Sequence, residues 1–364
     1  MKARKMVVAG LVAILLAVGG VGRADFILYG DEQLVVTRYD PCHEYGHLWD
    51  RSRVRLSGRI GWLYAFDSSA VDISVASVAW LYAFDSSAVN ISYGSVGYLY
   101  ALDSSAVNIS YGSVADLYAN NSSTVDISGA SVGWLYAFDA SAVDISSGSV
   151  SELFYAYNSS TVNISGGSVE QIHAYDTSAV CISGGVLATV AAVNWGIVNV
   201  TGGSVDWLYA HDTSTLDISG GSVHGICAFE FGEVAMSAGS VGEFNARGTA
   251  DISGGSIDSL YADKSSNVNI SGGAVSELYA EVGASITLDA RDFHLGTGLS
   301  LDGEQVLGTG ILDGEWLDGT PWVMTITHND TGATILAVPE PGTLALLAFG
   351  AVAVLRRRRR RVAR

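Results

Sequence analysis

An 18-residue unit of the form S-V-x-x-L-Y-A-x-D-x-S-x-V-D/N-I-S-x-G recurs along most of this 364-residue chain. One position can be followed through Ile73, Ile91, Ile109, Ile127, Ile145, Ile164, Ile182, Val200, Ile218, Met236, Ile252, Ile270 and Leu288, with Leu56 as a degenerate earlier member. Ten of those twelve steps are 18 residues, one is 19 and one is 16. A unit this short cannot bury its own apolar face, so it is stable only when stacked on its neighbours.

The period inside the unit is that of strands. Leu81 and Ala83 alternate with Trp80, Tyr82 and Phe84, and Val89 and Ile91 flank Asn90. Period-two alternation marks half-buried strands, and the Gly and Ser between segments suit turns. Propeller blades need about 40 residues or more. The expected fold is therefore all-β: a single parallel β-helix (β-solenoid) of about 13 turns, preferred as right-handed, because the apolar spacing follows no strict hexapeptide rule. An open solenoid end is an exposed sheet edge, which predicts a cap at each end. Residues 25–59 read as an N-terminal cap with a degenerate repeat, 60–290 as the solenoid, and 291–337 as a C-terminal β cap with the strand-like run Trp322–Ile326.

Both termini carry export signals. Lys2, Arg4 and Lys5 precede an apolar run from Met6 to Val21, and the small residues Gly22 and Ala24 follow. This is the pattern of a signal peptide spanning 1–24, processed by signal peptidase. At the other end Pro339, Glu340 and Pro341 precede an apolar stretch, Leu344–Leu355, and then Arg356, Arg357, Arg358 and three more arginines. The stretch is short for a transmembrane helix, which needs about 20 residues, and the arginines would hold its end at the cytoplasmic face. Segment 338–364 resembles the PEP-CTERM sorting signal. That resemblance implies recognition by an exosortase, removal of the tail, and delivery to the cell envelope, surface or extracellular matrix of a Gram-negative-type bacterium. Any membrane contact is then confined to this segment before processing.

Charge narrows the partners. Removing 1–24 and 339–364 leaves 8 of 19 basic and 36 of 37 acidic residues, a body near −28, with no Lys or Arg from Ile60 to Ala246. Phosphate backbones are bound by positive charge, so nucleic acid is not expected as a partner. Cys42, Cys181 and Cys227 fall at unrelated repeat positions and imply no disulfide framework.

Stacking turns repeated residues into ladders about 4.8 Å apart. One ladder is Asp72, Asn90, Asn108, Asp126, Asp144, Asn163, Asn199, Asp217, Asp251 and Asn269; a second is Asp67, Asp85, Asp103, Asn121, Asp139, Asn158, Asp176 and Asp212. Such oxygens could hold Ca²⁺, although turn capping explains them as well. No other cofactor is expected. His43-Glu44-Tyr45-Gly46-His47 matches the H-E-x-x-H of zinc peptidases, but Pro41 and Gly46 sit in place of an amphipathic helix, so no metal site is expected.

The third ladder is aromatic, with Trp80, Tyr82, Tyr98, Tyr100, Tyr118, Trp134, Tyr136, Trp207 and Tyr209 looking outward. A face so rich in aromatics exceeds what monomers usually expose. Extracellular polysaccharide could stack there, or the rings could stack on one another. Turns of uniform length build no cleft walls, so no catalytic residues are assigned. The leading expectation is a structural, adhesin-like surface or matrix protein, not an enzyme. A polysaccharide-binding module is the alternative, and a β-helix polysaccharide-degrading enzyme the weaker one.

Overall fold

The computed structural model describes residues 25–339, apart from 39, 41, 42 and 330–332. Every regular element in them is a β-strand. Parallel strands stack into a β-solenoid of about 14 turns with roughly 18-residue spacing. The chain divides after Asp206 into two compact units, which are taken in turn.

In the first unit a representative coil runs through Ser77–Ala83 and Ala88–Ile91 before Gly94–Ala101 begins the next. Val78, Leu81 and Ala83 point inward, with a bend between the first and second, and Val89 and Ile91 supply the other inward pair. Pairing is residue on equivalent residue: Val78 on Val96, Leu81 on Leu99, Ala83 on Ala101, and Ile91 on Ile109. Like therefore stacks on like through the core. Leu63, Leu81, Leu99, Leu117 and Leu135 are all 0% exposed, and burying each such side chain is worth about 1.5–3 kcal/mol.

The Asp-Ser-Ser segment explains how the coil reverses. Asp85 takes a φ of 55°, and the Ser87 N–H closes the turn by donating to the Phe84 carbonyl at 3.1 Å. In this unit, equivalent positions from Asp50 to Asn194 have φ between 55° and 60°. Asp and Asn tolerate this left-handed region far better than β-branched residues do. The backbone, rather than a ligand, is enough to account for the residue type here.

One residue after each turn dipeptide stands a serine that faces inward. Ser52, Ser69, Ser87, Ser105, Ser123, Ser141, Ser160 and Ser178 are at most 1% exposed, and their hydroxyls make no hydrogen bond among the described residues. A small side chain is what this corner accepts; glycine stands there at Gly196.

The segment read as an N-terminal cap is itself coiled. Phe26–Leu28 pairs with His43–Leu48, and Gln33–Val36 with Arg53–Leu56, in the parallel register used by the later coils. Steps of 20 residues (Val36 to Leu56) and 17 (Leu56 to Ile73) hide this from a search at period 18. Side chains compensate: Phe26 fills the inward leucine row above Gly46, where a Cβ would come within 2.4 Å of its ring.

In the second unit, strands Thr215–Ala228, Glu233–Ala246, Thr249–Ala262 and Asn267–Ala280 stack in parallel. Ser285–Leu295 starts the last coil, after which the chain departs into antiparallel pairing. Leu299–Asp302 forms a hairpin with Gln305–Gly308, and Gly310–Trp316 pairs with both Ala290–Leu295 and Pro321–Asn329. The latter strand contains the Trp322–Ile326 run. It and Thr334–Pro339 then return as parallel rungs, Ile326 on Leu278 and Ile335 on Ile286. Trp316, 1% exposed, locks the excursion down: its indole N–H donates to the Gly273 carbonyl at 2.8 Å, and its ring stacks on Trp322 at 4.7 Å.

These environments predict opposite outcomes for two neighbouring truncations. Leu99→Ala should cost about 2–5 kcal/mol by leaving a cavity in a stacked row. Ser87→Ala removes a buried hydroxyl without a partner and should leave the melting temperature unchanged or raised. A clear fall for Ser87→Ala would show that the hydroxyl is bonded.

Candidate functional site

The aromatic residues form three parallel rows on one outer side of the first unit. In the middle row His47, Tyr64, Tyr82, Tyr100, Tyr118, Tyr136, Tyr155 and His173 follow in register. The outer row holds Tyr45, Trp62, Trp80, Tyr98, Asp116 and Trp134. Two residues beyond the middle row lies a third, including Trp49, Phe66, Phe84, Phe138, Tyr157 and Tyr175.

The rings stack face to face. Tyr82–Tyr100, Tyr100–Tyr118 and Tyr118–Tyr136 have centroids 4.7, 4.7 and 4.8 Å apart and planes within 6°. Trp62–Trp80 and Trp80–Tyr98 stand at 4.9 and 3.9 Å, and Phe66–Phe84 at 4.9 Å. Such pairs contribute about 0.5–1.5 kcal/mol each beyond area burial. The middle row is half-buried as a result. Burial, and then the neighbouring phenols, raise the Tyr64 and Tyr82 hydroxyls above the usual tyrosine range; at Tyr100 burial is followed by Asp116. Most ring faces cover one another, so the row offers solvent mainly ring edges and hydroxyls.

Of the sequence-predicted aromatics, Trp80, Tyr82, Tyr98, Tyr100, Tyr118, Trp134 and Tyr136 are thus brought together on adjoining coils. Trp207 and Tyr209 lie in the second unit, side by side at 6.1 Å. The ring of Trp207 lies over Gly225, where a Cβ would be 2.3 Å away, and His211 stacks on Phe229 at 4.4 Å. Farther along, Arg247 lies over Phe229 and pairs with Asp263 at 2.6 Å. The third row, and Tyr155 beyond the single 19-residue step, were not picked out from the sequence. The same register arithmetic, extended by two residues and across one insertion, would have found them.

The amide ladders are largely self-contained. Asn90 Nδ2 donates to Asp72 Oδ1 at 3.0 Å, Asn108 Nδ2 to Asn90 Oδ1 at 3.1 Å, and Asn163 Nδ2 to Asp144 Oδ1 at 2.7 Å. Arg53 Nε donates to Asp72 at 2.7 Å, closing that ladder with a cation. In the turn ladder, the backbone N–H groups of Asp50 and Asp67 donate to the carboxylates of Asp67 and Asp85 at 3.1 and 3.2 Å. These are the oxygens considered for Ca²⁺. Here they cap the turns.

The H-E-x-x-H residues lie on strand His43–Leu48, whose bend at Glu44–Tyr45 sends the histidines to opposite sides. His43 is buried with its ring edge-on to Phe26 at 5.3 Å, whereas His47 stacks on Tyr64 at 4.8 Å. Cys42 lies outside the described residues. Among those described, no three His, Cys, Asp or Glu side chains are grouped to hold a metal, and Cys181 and Cys227 are free thiols.

The last described strand, Thr334–Pro339, is bonded in parallel along Ser285–Ala290 and reaches the first residue of the proline-glutamate-proline run. Residues 337–360 match the PEP-CTERM protein-sorting motif. The PEP-CTERM motif implies exosortase-dependent export to the cell surface. Of its predicted signature residues, Pro339 ends the strand, while Glu340, Pro341, Arg356, Arg357 and Arg358 lie outside the described residues, as does the signal peptide 1–24. No helix among the described residues is long and apolar enough to cross a membrane. Neither a curated protein nor a solved structure matches this chain.

One rung of the amide ladder carries a pH signature. Asp126 and Asp144 are successive carboxylates, and burial followed by the charge of Asp144 raises the Asp126 carboxyl above its usual range. A raised carboxyl favours the folded state below its unfolded value of 3.8, and that contribution fades as pH rises through the folded value. Asp126→Asn, which places an amide beside Asp144, should therefore melt higher than wild type at neutral pH, and the gap should close toward pH 3.8. An equal gap at both pH values would refute this origin.

Proposed function

We infer that this protein is a structural, adhesin-like component of the cell surface or extracellular matrix, processed by signal peptidase and exosortase and not acting as an enzyme. The observation that carries the reading is the use of the ladders. Aromatic faces stack on aromatic faces and amides bond to amides, so the most regular surface of the molecule stabilises the coil itself. Most coil steps are 18 residues, which supports the non-enzymatic reading, since turn lengths this uniform raise no walls around a cleft. Asp residues recur all along the rows, and no catalytic role is assigned to any one pair of them.

A polysaccharide-binding module is the second reading, favoured by a specific observation: Tyr98 and Trp134 remain 36% and 37% exposed although they lie in the outer aromatic row. The near −28 charge of the body suits neutral glycans better than polyanions.

Surface delivery and binding are separable by experiment. An epitope placed within the solenoid should become accessible to antibody on intact cells of the producing bacterium, and deleting 338–364 should abolish its surface retention. Surface retention unaffected by that deletion would contradict exosortase sorting. Wild-type protein incubated with purified extracellular polysaccharide should remain in solution if its role is purely structural, whereas retention on it supports the second reading. Turnover of the polysaccharide, lost on changing a single Asp, would overturn the non-enzymatic reading.

A further inference from the structure

The outer aromatic row is interrupted once between coils that carry it. Tyr45, Trp62, Trp80 and Tyr98 succeed one another in register, Asp116 takes the next place, and Trp134 the one after. Rungs lie about 4.8 Å apart, so Tyr98 and Trp134 stand roughly 9.6 Å apart on either side of Asp116, twice that spacing.

Their rings face each other across the gap. Tyr98 is within 13° of Trp80, Trp80 within 4° of Tyr100, and Trp134 within 9° of Tyr136. The tyrosines that connect these coils are parallel to within 6°. Exposure agrees: Trp62 and Trp80, with rings on both sides, are half-buried. Tyr98 and Trp134 reach 36% and 37%, close to the 38% of Tyr45 at the row's end. A missing rung uncovers a ring face in each case.

The floor is polar. Asp116 is half-buried and its carboxylate makes no hydrogen bond or ion pair among the described residues; desolvation alone holds its carboxyl above the usual range. Its charge is felt by the phenols of Tyr100, Tyr118 and Tyr136 beside it. On the other side the row reads Gly97, Ala115 and Gly133, which leaves the gap open laterally.

The geometry points to this slot as a subsite for one neutral pyranose residue of a polysaccharide, clasped between Tyr98 and Trp134 while Asp116 accepts hydrogen bonds from its hydroxyls. Two carbon contacts of about 3.5–4.0 Å take up 7–8 Å of the opening. The remainder leaves room for a puckered saturated ring. C–H faces suit the aromatic walls, hydroxyls suit an unpaired carboxylate, and an anionic sugar would be repelled by it. The proposal rests on the carbohydrate reading above and gives it a location.

The test fills the slot. Asp116→Tyr supplies the rung that neighbouring coils already carry, so the protein should fold and melt at or above the wild-type temperature. The full chain and its variants are titrated with cellohexaose, maltohexaose, chitohexaose and an anionic hexaguluronate, and read by tryptophan fluorescence and calorimetry. A neutral hexasaccharide should bind wild type, Asp116→Asn should retain binding, and Asp116→Tyr and Trp134→Ala should weaken it by about tenfold or more. Binding unaffected by Asp116→Tyr but lost in Tyr64→Ala/Tyr82→Ala overturns the slot and leaves the broader carbohydrate reading standing. Binding of none of the sugars by wild type overturns both. Tighter binding of hexaguluronate than of every neutral probe overturns the neutral assignment.

Discussion

Parallel backbone pairing in strict register is the constraint on which everything else in this protein depends. When Val78 bonds beneath Val96 and Leu81 beneath Leu99, every side chain meets its counterpart one coil away, at a separation set by the sheet and not by the side chain. Whatever tolerates its own likeness at about 4.8 Å is favoured, and whatever does not must be interleaved or placed where water reaches it. Leucine, valine and isoleucine gain a continuous core. Phenols and indoles gain stacked faces. Amides gain a hydrogen bond to the coil before.

Charge is the group that register punishes, and this body carries much of one sign. Its carboxylates manage this in distinct ways. At the turns, Asp67 and Asp85 accept backbone N–H groups from the preceding coil. Along the strands, asparagines are interleaved among the aspartates and bond to them. Near the N-terminal end, Arg53 and Arg55 sit against Asp72. Asp126 beside Asp144 departs from the pattern and bears a raised carboxyl as a consequence.

The sorting motif gains meaning from where the fold stops. Thr334–Pro339 is a parallel rung on the last coil, and its last three residues are the first three of the PEP-CTERM match. Trp316, anchored on the Gly273 carbonyl, holds down the antiparallel excursion that separates that rung from the regular coils.

The sequence alone determined the β-solenoid, its period and the PEP-CTERM sorting motif, because a repeat with period-two alternation admits few other packings and that motif is contiguous. It also placed Tyr82, Tyr100 and Tyr118 in one row, since equal spacing and equal register are the same statement. The coiling of residues 26–56 was legible only in part, as the degenerate member at Leu56, because steps of 20 and 17 residues break the period while backbone pairing absorbs the difference in the turns. Nor could the sequence say whether the aromatic faces would be open or covered. That depends on ring orientation, which packing between coils decides. The opening at Asp116 needed both: the sequence puts a carboxylate where neighbouring coils carry Tyr98 and Trp134, and only stacking shows that its place lies between two uncovered rings.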